Sequence, residues 1–230
     1  MVINDQLKTK DSVLVKKERH NFERGNFICY IVSCPFSFVD TWLEITVPKL
    51  ILVRHALPHI APDIPASHWA LSDEGRQGAE HLAPLLKAYQ PQRIITSTEK
   101  KAMQTGQIIA EQLGIGCATA PDLHEHDRRN ERFEVSRAVF EQRVRDFFAQ
   151  PDELIFGTET ASDAYNRFAL AVQNELNTNP GETLAIVTHG TTMTLFTAYH
   201  NDIIAFDFWK QLQQPDFKVY TLPDFQLADA

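Results

Sequence analysis

The chain has 230 residues, 43% of them hydrophobic and 23% charged, a composition typical of a soluble globular protein with one large or two small domains. The 22 Lys+Arg against 30 Asp+Glu leave a net charge of −8, which argues against a surface built to neutralise nucleic-acid phosphates. Cys29, Cys34 and Cys117 are too few and too irregularly spaced for a disulfide framework, so a reducing compartment, the cytoplasm, is expected.

Residues 1–46 carry six basic and six acidic side chains, whereas the whole net charge falls in 47–230, so a boundary is expected near Val47. The apolar stretch from Phe27 to Val39 is shorter than the roughly 20 residues of a membrane span, and no small-x-small cleavage site follows it. Neither a membrane anchor nor a secretory signal is expected. The first 46 residues read as a poorly ordered appendage or as a segment translated upstream of the true start of a compact domain. A third reading is a small arm whose Phe27, Tyr30, Ile31 and Phe36 dock on the main domain. Cys29 and Cys34 lack a second ligand pair, so zinc is not expected there.

From Lys49 onward, apolar runs alternate with helical periodicity. Lys49–Arg54 has the continuous apolar pattern of a strand buried on both faces. A Pro-rich loop follows over 56–70, and then Ser72 is placed to cap a helix running to about Tyr89, with a kink or break expected at Pro84. Arg93–Thr96 predicts a second strand, 100–113 a helix stopped by Gly114, and 117–119 a short strand. A polar segment over 122–132 precedes two helices, about 137–149 and 162–177. A Pro180-Gly181 turn then leads into a buried strand over 183–188, a helix over 191–200 and a last strand over 217–222. This alternation predicts an open α/β sheet flanked by helices, with ligands gathered at the carboxyl ends of its strands. Arg54-His55, Ser97 and His189 fall at three such ends.

A histidine whose ordinary pKa is about 6.5 supplies a neutral imidazole near pH 7, so two histidines at two strand ends suit a nucleophile and an electrostatic partner. Here the sequence resembles the histidine phosphatase superfamily, the fold class of cofactor-dependent phosphoglycerate mutases, through Leu52-Val-Arg54-His55-Ala56 and Ile186-Val-Thr-His189-Gly190. Leu71-Ser-Asp-Glu-Gly-Arg76, Thr96-Ser97 with Ala102-Met-Gln104-Thr105, and Leu123-His-Glu125 are similar to further motifs of that family, in the same order.

The resemblance spans 47–222 and implies a three-layer α/β/α sandwich with a mostly parallel open sheet. It also implies a phosphomonoesterase acting through a phosphohistidine, without cofactor or metal, on a small phosphorylated substrate. By the same resemblance His55 is the nucleophile and Arg54 clamps the phosphate. His189 donates to the transferring group, and Glu125 is general acid and then base, its pKa raised by the phosphate. Lys101 stands where the family has an arginine, and Ala61 where an asparagine is frequent. Lys101 is read either as a point charge on the phosphate or as a side chain turned to solvent.

Two alternatives remain open. One is mutase-type phosphoryl return, although the 64 positions between Glu125 and His189 are fewer than a mutase-like insertion implies. The other is an inactive phospho-ligand binding protein, suggested by Lys101 and Ala61. The cluster His124-Glu125-His126-Asp127 lacks a recognised metal spacing, and an extended backbone would put the two histidines on the face opposite Glu125. His59, His68, Trp69, Arg128 and Arg129 are candidates for the substrate entrance.

Overall fold

The computed structural model describes residues 6–8, 14–21, 26–33, 47–131 and 136–228. The chain divides into two units, residues 1–47 and 48–230. In the first, strands β1 (Gln6–Lys8), β2 (Leu14–Asn21) and β3 (Asn26–Ser33) form an antiparallel sheet in that order. The side-chain docking considered for Phe27, Tyr30, Ile31 and Phe36 lies outside the described residues.

The second unit is built on six strands, β4 (Lys49–Arg54), β5 (Arg93–Thr96), β6 (Gly116–Thr119), β7 (Leu184–Thr188), β8 (Asp216–Thr221) and β9 (Gln226–Leu227). Their spatial order is β6-β5-β7-β4-β8-β9. The first four in that row run parallel, while β8 is antiparallel to β4 and β9 to β8. The central pair explains the unbroken apolar runs: Leu50–Val53 and all of β7 are buried, because helices cover both faces.

Alternate residues of the strands feed two cores. Leu50, Leu52, Ile95, Ile186 and Tyr220 pack against Phe168 and Val172 of α4 (Ala161–Thr178) and Met193 and Phe196 of α5 (Gly190–His200). Ile51, Val53, Ile94, Ala185 and Val187 pack against Leu82 and Leu86 of α1 (Asp73–Lys87) and Ala102 and Ile109 of α2 (Lys100–Leu113). Helices therefore lie on both faces, and this second unit is the expected three-layer, mostly parallel α/β sandwich. Full burial of each large aliphatic side chain contributes about 1.5–3 kcal/mol. A third cluster, with Val144, Phe147, Phe156, Ala164 and Phe206, joins α3 (Arg137–Ala149), α4 and α6 (Ala205–Gln211) beside the main sheet.

Local signals hold where they are chemically specific. Ser72 caps α1 by accepting from the Gly75 N–H, α4 opens with a capping box between Thr160 and Asp163, and α2 stops at Gly114. Helix α1 runs unbroken through Pro84, contrary to the break allowed for above. Pro84 and Glu80, whose carbonyl loses its donor, are both exposed, so water replaces the missing bond while Leu82, Ala83 and Leu86 hold the buried face. Gly106 lets α2 lie directly on the sheet, for a Cβ there would stand 2.2 Å from Cγ2 of Thr96. Helix α6 and strand β9 carry no clear sequence signal. Among the described residues, no helix is long and apolar enough to cross a membrane.

Candidate active site

The strand order puts β7 between β5 and β4, so three chain-distant segments end side by side. One more ladder bond beyond each strand end fixes the exit: the His55 N–H donates to the Thr188 carbonyl and the Ser97 N–H to the Val187 carbonyl, both at 2.9 Å. The rings of His55 and His189 meet edge to face with centroids 5.1 Å apart.

His55 is buried, and its Nδ1 stands 2.7 Å from the carbonyl oxygen of its neighbour Ala56. A carbonyl only accepts, so Nδ1 carries the hydrogen and the lone pair of the neutral ring is on Nε2. Burial, reinforced by His189 and Lys101 nearby, pushes the His55 pKa well below 6.5 and keeps the ring neutral near pH 7. The amide of Gln214, a residue unmarked in the sequence, lies 3.3 Å from the same Nδ1.

Arg54 donates through Nη1 to the carbonyls of Leu212 and Gln213, at 2.7 and 3.2 Å, and its buried Nε has no partner. Gly190 makes room for it, since a Cβ at 190 would stand 3.1 Å from that Nε. His189 is wholly buried; its Nε2 shares a 2.7 Å hydrogen bond with the Ser97 hydroxyl, and its Nδ1 has no partner. With the hydroxyl as donor, the neutral ring carries its hydrogen on that unpartnered Nδ1. Buried donors without acceptors are costly, and both belong to neighbours of His55, Arg54 in sequence and His189 ring to ring.

Glu125 closes the constellation by accepting at the N-terminus of α5. Its carboxylate takes the N–H groups of Thr191 and Thr192, at 3.1 and 3.2 Å, and that of His126, at 2.9 Å. Burial opposes its charge; His189, Arg128 and these N–H groups outweigh that, so its pKa lies below the usual carboxylate value. His189 is itself neutral, as its pKa is pushed far down by burial, so the N–H groups and Arg128 hold the carboxylate. The protein's own groups thus pull Glu125 opposite to the rise expected from a phosphoryl charge.

Lys101 does not reach solvent, being only 5% exposed. Its ammonium turns inward and is held by the carboxylate of Glu99 and, at 2.8 Å, by the Ala66 carbonyl. Of the entrance candidates, His59, His68 and Arg129 are exposed, and Arg128 lies over the ring of Phe140 at 4.9 Å. Trp69 is instead buried, donating through Nε1 to the Ala61 and Ile64 carbonyls and so folding the loop on itself. His126 packs between Phe147 and Phe156 and donates through Nε2 to the Glu159 carbonyl. Among the described residues, no group of three or more His, Cys, Asp or Glu is gathered as metal ligands.

Burial also lowers the pKa of His124, His126 and His200, so five described histidines resist protonation in the native state. Below about pH 6.5 the unfolded chain binds protons that the folded chain refuses, so stability is highest above that pH and declines as pH falls. A tenfold difference in proton affinity is worth about 1.4 kcal/mol per group. The melting temperature is expected to drop steeply between pH 7 and pH 5; a flat profile would contradict the neutral buried pair.

Two histidines at adjoining strand ends, an arginine before the first and a carboxylate held at the N-terminus of the helix after the second thus form one candidate site on an α/β sandwich. The family model of the histidine phosphatase superfamily (branch 1) matches residues 50–223, and the chain belongs to that superfamily. It is 28% identical over 127 residues to phosphoglycerate mutase-like protein 4 of Arabidopsis thaliana, a match covering 52% of this chain and 55% of that relative. The chain thus spans about half the length of that curated relative.

Similar solved structures include Bacillus stearothermophilus YhfR, with a TM-score of 0.65 and 23% identity over 80% of this chain and 96% of that one. Phosphoserine phosphatase of Entamoeba histolytica matches with a TM-score of 0.63 and 18% identity, over 79% and 94% of the two chains. A mycobacterial glucosyl-3-phosphoglycerate phosphatase matches with a TM-score of 0.61 and 17% identity, over 75% and 89%. At these identities the structures are alike in fold.

Proposed function

We propose that this protein hydrolyses a small phosphate monoester through a phosphohistidine on His55. The observation that carries the reading is the bare Nε2 of His55 beside two buried polar atoms without partners, Arg54 Nε and His189 Nδ1. An anionic group with several acceptor oxygens would satisfy both at once. In the first step the Nε2 lone pair attacks phosphorus, the ester P–O bond breaks, and Glu125, protonated once the charge of the bound ester offsets the N–H groups and Arg128 that hold its carboxylate, gives its proton to the departing alkoxide. In the second, Glu125, again a carboxylate, takes a proton from water as the water oxygen attacks phosphorus. The P–N bond then breaks, phosphate leaves and His55 is restored. Arg54 and His189 hold the non-bridging oxygens in both steps.

The relatives support phosphate-ester chemistry, and no step needs a metal. The exposed thiol of Cys117 suits a reducing cytoplasm, where we place the protein. Its partner is the small substrate, neither a membrane nor a nucleic acid.

The test is phosphate release from an aryl phosphate in the presence of chelator, together with labelling from a radioactive ester quenched in alkali, where a P–N bond survives. Wild type should turn over and label, and His55→Ala should do neither. The Glu99–Lys101 pair favours a second reading, a phospho-ligand binding protein without turnover. Phosphate binding by wild type with neither turnover nor label would establish that reading instead.

A further inference from the structure

Glu99 is the least expected group in the pocket. It is the N-cap residue of α2, yet its side chain does not cap the helix. It turns into the site, where one oxygen pairs with Lys101 and the other accepts the Glu125 N–H at 2.9 Å and lies 3.6 Å from Nε2 of His189. Its own N–H donates to the Ser97 hydroxyl at 3.2 Å. Glu99 and Lys101 are both less than a tenth exposed.

A carboxylate here opposes what an anion site ordinarily requires. Glu99 neutralises Lys101 and Glu125 faces both Arg54 and Arg128, with the two histidines neutral, so the carboxylates cancel most of the pocket's positive charge. Fixed charges a few ångströms apart in a buried site interact strongly enough to dominate selectivity among anions. Most other cations beside the acid loop are paired, Arg129 with Asp127, Arg143 with Glu131 and Arg167 with Glu159, while Arg128 lies over the ring of Phe140.

We propose that Glu99 is a specificity-determining residue. By neutralising Lys101 it restricts the site to phosphomonoesters whose alcohol part bears no further negative charge, and it weakens retention of the inorganic phosphate product. The inference rests on the proposed phosphatase reading, because it concerns the same pocket. The substrate class is a phosphorylated neutral alcohol or amino alcohol; phosphorylated carboxylic acids are poor substrates.

Two measurements test it. Wild type should show a higher kcat/KM for phosphoethanolamine than for 3-phosphoglycerate, and the opposite order overturns the proposal. Inorganic phosphate binding, followed by calorimetry at pH 7.5 where the dianion prevails, should tighten at least tenfold in Glu99→Gln, which keeps an acceptor for the Glu125 N–H. Glu99→Asp, which keeps the charge, should stay within about threefold of wild type. Unchanged or weaker phosphate binding in Glu99→Gln, or an Asp variant behaving like Gln, would show that Glu99 acts through geometry and would overturn the proposal. Calorimetry needs no turnover, so a wild type that lacked His55-dependent labelling would defeat the phosphatase reading while the binding comparison still judged Glu99. If Glu99→Gln fails to fold, the wild-type substrate order decides.

Discussion

Replacing Glu125 by Gln is expected to reduce kcat for an alkyl phosphate by about 10²- to 10⁴-fold, the usual contribution of a positioned general acid. An aryl ester with a good leaving group should lose far less in the phosphorylation step, because a stable phenolate departs without a proton. The substitution preserves shape but leaves only one oxygen to accept the N–H groups of His126, Thr191 and Thr192. A buried donor left unsatisfied costs about 1–3 kcal/mol, so some loss of stability accompanies the kinetic effect. Single-turnover kinetics over a series of leaving groups is the deciding measurement. A steeper dependence of rate on leaving-group pKa is expected, and an equal loss across the series would remove Glu125 from the acid role.

Arg167→Met is expected to produce a related pattern at one remove. Each of the five guanidinium N–H groups of Arg167 has an acceptor: the carbonyls of Asp122, His124 and Glu125, and both carboxylate oxygens of Glu159. Glu159 in turn accepts the Asp127 N–H at 2.9 Å. The two side chains, 16% and 14% exposed, thus clamp the loop that aims Glu125. Breaking such a pair by removing one partner costs about 3–5 kcal/mol, which a denaturant midpoint would reveal. The loss in kcat should again be greatest for poor leaving groups, with phosphoenzyme formation from an aryl ester retained. Arg167→Lys keeps the charge but not the fork and should lie between the two. A uniform loss on all esters would mean that Arg167 supports the fold and nothing more.

Much of this arrangement is legible in the sequence because it follows from short-range rules. The runs Leu50–Val53 and Leu184–Thr188 are apolar at every position, or nearly so, as strands covered on both faces must be, the first leading into Arg54-His55 and the second into His189. Strand order is another matter: that β7 lies between β5 and β4, with β8 antiparallel, depends on packing between segments more than 80 residues apart in the sequence, and nothing local encodes it. The supporting polar residues are hidden for a similar reason. Glu99 reads as part of a charged helix start, and Arg167 as one more cation on an amphipathic helix. Only the fold shows that both point inward. In the first unit the run Leu14–Asn21 is mostly charged or polar, so its pairing with Asn26–Ser33 is a matter of register that composition does not reveal.

The loop between β4 and α1 touches the site through the Ala66 carbonyl, which accepts from Lys101, and it is pinned at its base, where the Ser72 N–H donates to the Leu57 carbonyl and the His59 N–H to the Ala70 carbonyl. Between those pins, residues 62–68 are all exposed. The main-chain N–H groups of His55 and Ser97, by contrast, belong to the buried sheet, so they are released only when that sheet opens as a whole. Rim and reaction centre therefore answer to different constraints during divergence. Insertions or exchanges at the tip of the loop can reshape the rim, while the placement of His55 and Ser97 stays locked to the integrity of the sheet.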